Sequence, residues 1–439
     1  MTAVVSALVV TGSPAGAQER LSLDRAVSAA LSGNPEVQAS RAATAEAAER
    51  VLQARAGLLP RVNLVESWQW GNQPVFVFGS LLAQRQFSDA NFGLERLNHP
   101  DSISNYRTAL SVEQVLFDGG RASAGTRAAT LGHAMAQSAG RQAANDLALA
   151  TARAYGQVLL ASTARRAAET AVTTADEDAR TAAARRDAGV GAEADVLSLQ
   201  VHLAQMRERA LNAESDEVIA RAELNRLMGV PLDLAFELDE PAAAEIAEPA
   251  REALEQQELR LRPEAEQATL QRDVARTLER SANAAWLPEV ALQGSYEWNG
   301  GTFGSRAPAW TVGTQVRLNL FAGMGDRARQ REAPHRVERA EAERARAEAA
   351  VRLDVRSAAA RLSAARAREA VGSAMVIQAR ESQRMIRDPF EAGMAATSDV
   401  LRAANAVLDA ETQRIGALVD VMIDQAALRR AVGMQEGTP

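Results

Sequence analysis

The chain has 439 residues, of which 47% are hydrophobic but only 4% aromatic, and a formal net charge of −7. An acidic balance without a one-sided basic tract argues against nucleic acid as a partner, and the absence of cysteine excludes disulfides, a cysteine zinc site and a lipid-modified N-terminal cysteine. Alanine supplies much of the apolar count, which suits closely packed long helices better than a thick core of large side chains.

Residues 1–17 read as a secretory signal. Ala3 to Val10 is a short apolar run, and Ala15-Gly16-Ala17 is a small-x-small cleavage pattern before Gln18, although no Arg or Lys precedes the run. No later stretch reaches the roughly 18 apolar residues of a transmembrane helix. A membrane crossing by this chain must therefore use strands.

From residue 18 onward one plan occurs twice. An offset of 228 links Pro35 to Pro263, Pro60 to Pro288 and Trp70 to Trp298. An offset of 204 then links Leu116-Phe117 to Leu320-Phe321, Gly189 to Gly393, Asp195 to Asp399 and Gly229 to Gly433. Self-similarity over this length is architectural. The fall from 228 to 204 places an insertion of 24 residues between Trp70 and Leu116.

The first copy, 18–230, opens with a helix at Pro35, where the missing N–H would have no partner anyway, and Asn34 is suited to cap it. Pro60 ends that helix. A β-hairpin is expected over 61–117: Val62, Leu64, Trp68 and Trp70 alternate with Asn63, Ser67 and Gln69, and Leu110, Val112 and Leu116 alternate with Ser111 and Glu113. Glu66 breaks the apolar side. A long helix follows over 120–188, free of proline and on the order of 100 Å at about 1.5 Å per residue. Gly189 suits its left-handed cap. A helix over 192–228 completes the copy.

Residues 231–262 form an acidic linker that includes Glu237, Asp239, Glu240, Glu245, Glu248, Glu252 and Glu255. The second copy, 263–434, repeats the plan with a helix from Pro263, a hairpin over 289–321, a long helix over 326–392 and a helix over 397–433. In its hairpin Val290, Leu292, Tyr296 and Trp298 oppose Glu289, Gln293, Ser295 and Glu297, while Val312, Val316, Leu318 and Leu320 oppose Gln315, Arg317 and Asn319. Pro389 is expected to interrupt the long helix near its end. In each copy the two shorter helices, stacked end to end, match the long one in length. Residues 435–439 are a tail.

Alternation over about ten residues, with Trp68, Trp70, Tyr296 and Trp298 near one end, matches a membrane strand with lipid on one side and water on the other. An ordinary two-sided hairpin on a soluble sheet is the competing reading. Four strands are too few for a barrel, since the smallest membrane barrels use about eight, and an open edge is not tolerated in lipid. Three chains sharing one barrel satisfy both conditions. The fold class is then mainly α with membrane hairpins, a trimeric twelve-stranded barrel and a twelve-helix tunnel, three times the four strands and four helix rows of one chain.

In this order, and mostly twice, the motifs are specific: Leu21-Ser-Leu-Asp24 with Asn34-Pro35, Leu58-Leu-Pro60, Leu116-Phe-Asp-Gly-Gly120, Ala188-Gly189 six residues before Asp195-Val-Leu, and Glu223-Leu-Asn-Arg-Leu-Met-Gly229. From Leu21 to Gly433 the chain resembles the TolC-like outer-membrane efflux and secretion proteins. The resemblance implies a homotrimeric conduit in outer-membrane lipid with a helical tunnel in the periplasm. It also implies two partners, a periplasmic membrane-fusion adaptor and an inner-membrane pump of the RND or ABC type. By the same resemblance Gly189, Val190, Gly393 and Met394 become the tips that meet the adaptor. Asp195 and Asp399 fall near the entrance, where Arg402 replaces a second acidic residue of some relatives. Both aspartates equally suit the first turn of a helix, where the dipole favours anions. The linker would contribute to an equatorial belt or simply be solvated. The insertion, with Phe76, Phe78, Phe87 and Phe92, would be extracellular. It is too apolar for a free loop and would either pack over the barrel mouth or meet something outside.

His99, His133, His202 and His335 are scattered without partners at ligand spacing, no hydroxyl has a nearby base, and Gly119-Gly120 lacks a phosphate-loop pattern. No enzyme, metal site or cofactor is expected. The leading function is passive export of small molecules such as drugs and toxic compounds. Type I secretion of polypeptides is the alternative within the architecture. A periplasmic adaptor or structural coiled coil would explain the helices but not paired amphipathic hairpins.

Overall fold

The computed structural model describes residues 20–239, 262–391, 394 and 396–433. The expected signal at 1–17, most of the acidic linker, the Gly393 tip and the tail at 435–439 lie outside the described residues. The first copy contains β1 (Arg20–Leu21), α1 (Leu23–Gly33), α2 (Pro35–Arg55), β2 (Arg61–Gly71), α3 (Pro74–Ala83), α4 (Leu94–Asn98), β3 (Ile103–Phe117), α5 (Arg121–Asp187) and α6 (Glu193–Met228). After β4 (Glu237–Leu238), the second copy contains α7 (Pro263–Asn283), β5 (Glu289–Thr302), β6 (Ser305–Arg317), α8 (Gly325–Glu391) and α9 (Thr397–Ala431). The copies match closely: α2 and α7 each have 21 residues, and α5 and α8 each have 67.

Two compact units divide the chain, and their boundaries fall inside α2, α5, α7 and α8. One unit comprises residues 42–137 and 267–346 and holds the sheet β2-β3-β5-β6, antiparallel throughout. The other comprises the described residues within 1–41, 138–266 and 347–439. Its core is built from Ala26, Ala30, Leu147, Tyr155, Val158, Leu224, Leu227, Val419 and Met422. Small residues let the helices approach: a Cβ added at Gly156 of α5 would lie 2.7 Å from Val419 Cγ1 of α9. The Tyr155 hydroxyl lies 2.8 and 2.9 Å from the carbonyl oxygens of Leu21 and Asp239, which flank the parallel β1–β4 pair. Burial, with Asp239 nearby, pushes its pKa up to about 12.

In this second unit the shorter helices meet at their ends in both copies. Asn34 Nδ2 donates to the Leu227 carbonyl at 2.8 Å, so the start of α2 adjoins the end of α6. At equivalent positions Arg262 Nη1 donates to the Ala431 carbonyl at 2.9 Å. Arg262 is 4% exposed and also bonds Glu264 and Asp354. Glu217 is similarly enclosed. Burial pushes its carboxyl up, but hydrogen bonds from Arg221 and Arg165 outweigh that and hold it below the usual carboxylate range.

Two sequence expectations are corrected. The return strand of the second copy ends at Arg317, so Leu318 and Leu320 lie beyond it, where Asn319 instead donates to Asp326 at 2.8 Å near the start of α8. Pro389 does not interrupt α8, which continues to Glu391 and also contains Pro334. Proline removes one N–H and crowds one carbonyl. Within a helix of this length, packing on both sides of the residue outweighs that local loss; Phe390 beside it is 3% exposed.

Candidate channel wall and entrance

Alternation puts two chemically distinct faces on the four-stranded sheet. On one face the cross-strand rows read Val62–Val112–Gly294–Val312 and Leu64–Leu110–Tyr296–Trp310. Trp68, Trp70 and Trp298 continue this face, with Tyr296 and Trp298 ring centroids 4.6 Å apart. Trp68 Nε1 donates to Ser104 Oγ at 2.8 Å. Trp310, 71% exposed, completes the aromatic set.

The opposite face is polar and cross-linked. Arg107 Nε donates to Glu297 at 2.9 Å, Asn105 Nδ2 to Asn299 Oδ1 at 3.1 Å, and Gln293 Nε2 to Gln315 Oε1 at 3.1 Å. The Ser295 and Thr311 hydroxyls are 2.8 Å apart. Among the described residues, both edge strands, β2 and β6, have no partner on their outer side.

Glu66 now has an account. Its carboxylate accepts the Thr108 hydroxyl and lies 3.3 Å from Arg306 Nη1. Arg306 can lie across the sheet because residue 300 is glycine, where an added Cβ would be 2.6 Å from Arg306 Cγ. The guanidinium also sits 4.1 Å from the Phe303 ring centroid. An ion pair therefore neutralises the one carboxylate on the apolar face.

At the other candidate site, α5 ends in a left-handed turn. Gly189 has φ of 76°, its N–H donates to Arg186, and the Val190 N–H donates to Arg185. Val190 is 71% exposed and Met394 is 79% exposed. Asp195 and Asp399 both fall in the first turns of helices, α6 and α9. Each carboxylate has a partner: Asp195 accepts the Thr397 hydroxyl at 3.1 Å, and Asp399 pairs with Arg402. Two further contacts join α5 to α8. Arg185 Nη1 donates to the Phe390 carbonyl at 3.1 Å, with its guanidinium 5.3 Å from the Phe390 ring centroid, and Arg387 pairs with Glu177 at 3.2 Å.

Sequence reasoning missed Arg185, Glu177, Arg387, Phe390 and Thr397. The signal was present in the repeat itself. These contacts join residues 205, 210 and 202 positions apart, close to the offset of 204. Further along the same helices a cavity of 380 Å³ is lined by Asp178, His202, Met206, Arg380, Asn405 and Glu411, among others. His202 is 9% exposed, and burial together with Arg209 lowers its pKa below the usual imidazole value. Among the described residues no group of three or more His, Asp or Glu is placed to hold a metal.

Comparison with known proteins agrees with this arrangement. Protein CyaE of Bordetella pertussis is 29% identical over 349 residues, covering 76% of this chain and 72% of that protein. The alkaline protease secretion protein AprF of Pseudomonas aeruginosa is 25% identical over 415 residues, covering 92% of this chain and 83% of AprF. The Campylobacter jejuni CmeC outer membrane channel superposes with a TM-score of 0.82 at 15% identity, over 95% of this chain and 87% of that one. Residues 26–230 and 254–434 match the outer membrane efflux protein family, and the chain, with its two-faced sheet and paired long helices, belongs to that family of the outer membrane.

Proposed function

We propose that the chain is one subunit of the outer-membrane conduit of a tripartite export system. Three copies close one barrel and passively conduct small molecules, such as drugs and toxic compounds, to the exterior. The observation that carries this is the β2-β3-β5-β6 sheet, apolar on one face, polar on the other and open at both edges. Lipid does not tolerate open edges, and four strands are too few to close alone. Pairing β6 of one copy with β2 of the next satisfies every edge in a trimer. The apolar face then meets lipid, with Trp68, Trp70, Tyr296 and Trp298 at its interface with water, and the polar face lines the passage.

The partners in this reading are a periplasmic membrane-fusion adaptor and an inner-membrane pump of the RND or ABC type. Gly189, Val190, Gly393 and Met394 form the tips that meet the adaptor, and Asp195, Asp399 and Arg402 stand at the entrance. Conduction needs neither a cofactor nor a catalytic residue. A second reading, type I polypeptide secretion, is favoured by one observation: a relative covering 92% of the chain is named for alkaline protease secretion.

Detergent-extracted protein is expected to have a mass near three chains, and a monodisperse folded monomer would remove the shared barrel. Expression in cells lacking their own conduit separates the two readings. Restored resistance to small toxic compounds supports efflux, whereas restored release of a secreted protease without resistance supports secretion.

A further inference from the structure

We propose that the helical insert of the first hairpin lies inside the mouth of the barrel, where α3 meets the same helix of the two other copies around the three-fold axis. The proposal rests on the conduit reading and deepens it by assigning a closure to its outer end. The first line of support is the face that the insert covers. Gln84, directly after α3, is 7% exposed and donates from Nε2 to the Ser104 carbonyl at 2.9 Å and to Asn105 Oδ1 at 3.0 Å. Asn105 in turn donates to Asn299. Asn105 and Asn299 belong to the polar face, in register with Arg107 and Glu297 by the period of two. Phe76 also lies on this side, 4.0 Å from where a Cβ at Gly71 would stand. Arg85 secures the end of α3 by donating to the Pro308 carbonyl at 3.0 Å. The insert therefore covers the face that lines the passage and leaves the lipid face clear.

The second line is the composition of α3, Pro-Val-Phe-Val-Phe-Gly-Ser-Leu-Leu-Ala, which has no charged residue. Val77 and Ser80 are buried and, with Gln84, fall on one side at intervals of three and four. Val75, Gly79 and Leu82 fall on the other side, where Val75 is 78% and Leu82 is 51% exposed. A helix that is apolar all round belongs in an interior. On the passage side of a closed barrel, lipid is excluded. The apolar partner available there is the same helix of the neighbouring copies, continuous with the interface that pairs β2 and β6. Phe87 braces the arrangement, with its ring centroid 4.8 Å from that of Phe78 and 5.1 Å from that of Phe92. The second hairpin contributes no such helix, since only residues 303 and 304 separate β5 from β6. Three inserts thus converge, one per copy, on an uncharged constriction of the kind that closes by expelling water.

Gly79→Cys tests this directly. The native chain has no cysteine, and a Cβ at Gly79 meets nothing within 4 Å, so the fold accommodates the change. In detergent-extracted trimers, mild oxidation is expected to link Gly79→Cys subunits in pairs. Spin labels at that position should also lie closer together between copies than labels at Thr314→Cys on the apolar face. A trimer that forms no such link, with Gly79→Cys labels as far apart as the Thr314→Cys labels or farther, overturns the proposal. A protein that is folded but monomeric removes the conduit reading, and this proposal with it.

Discussion

His202 shows how one residue turns burial into a dependence on pH. It lies on α6 in a cavity shared with Asp178 of α5, Arg380 of α8, and Asn405 and Glu411 of α9. Burial disfavours the charged imidazole, and Arg209 adds to this, so the folded-state pKa is lowered from the usual 6.5. A lowered value means that the unfolded chain binds the proton more readily. Stability from this group is therefore fully present above about pH 6.5 and is lost as the pH falls through the folded value. His202→Gln is expected to flatten the fall in melting temperature between about pH 7 and 5, measured by circular dichroism on detergent-extracted protein. An unchanged slope in the variant would place the acid sensitivity elsewhere. His202 was visible in the sequence only as a lone histidine, because its surroundings come largely from three other helices, α5, α8 and α9.

The ends of elements were the most legible feature. Gly189 could be read as a cap because a left-handed residue after a long helical run favours glycine for a steric reason. A Cβ there meets nothing within 4 Å, so substitution costs backbone conformation and causes no clash. Gly189→Ala is expected to lose roughly 1 kcal/mol from the turn and to leave export intact. Gly189→Trp should abolish resistance while the protein still reaches the outer membrane, because bulk at an exposed tip blocks a docking partner. Normal export by Gly189→Trp would mean that coupling does not run through this turn. Proline was less reliable as a signal. Pro60 and Pro288 do end their helices, but Pro334 and Pro389 lie within α8, where packing along the helix decides. Pro308 lies inside β6, although proline within a run argues against a strand. The residue sits on an edge strand, where a missing N–H is tolerated. The alternation named from Val312 onward left out Trp310 and Arg306, and with Arg306 the partner of Glu66.

At the scale of the whole molecule the duplication does more than repeat elements, because it brings equivalent positions together. Asn34 and Arg262 tie the helix ends of their own copies, whereas three contacts at the tips join one copy to the other: Thr397 to Asp195, Arg185 to Phe390 and Arg387 to Glu177. The resemblance placed Asp195 and Asp399 near the entrance, and both equally suited the first turn of a helix. Asp195, bonded to Thr397, ties α6 to α9, whereas Asp399 pairs with Arg402 inside the first turns of α9. Exposed ion pairs contribute only about 0–1 kcal/mol each, so such ties can be broken without unfolding the long helices they connect. In the conduit reading, loosening them frees the two helical hairpins of each copy at the entrance. Thr397→Val combined with Arg387→Ala is therefore expected to raise single-channel conductance in planar bilayers while lowering the melting temperature by only a few degrees. Restoring either residue should give an intermediate conductance, since each tie acts on the same pair of hairpins. If the double variant conducts like the native protein but melts much earlier, these contacts support the helices and the entrance is held by another part of the chain.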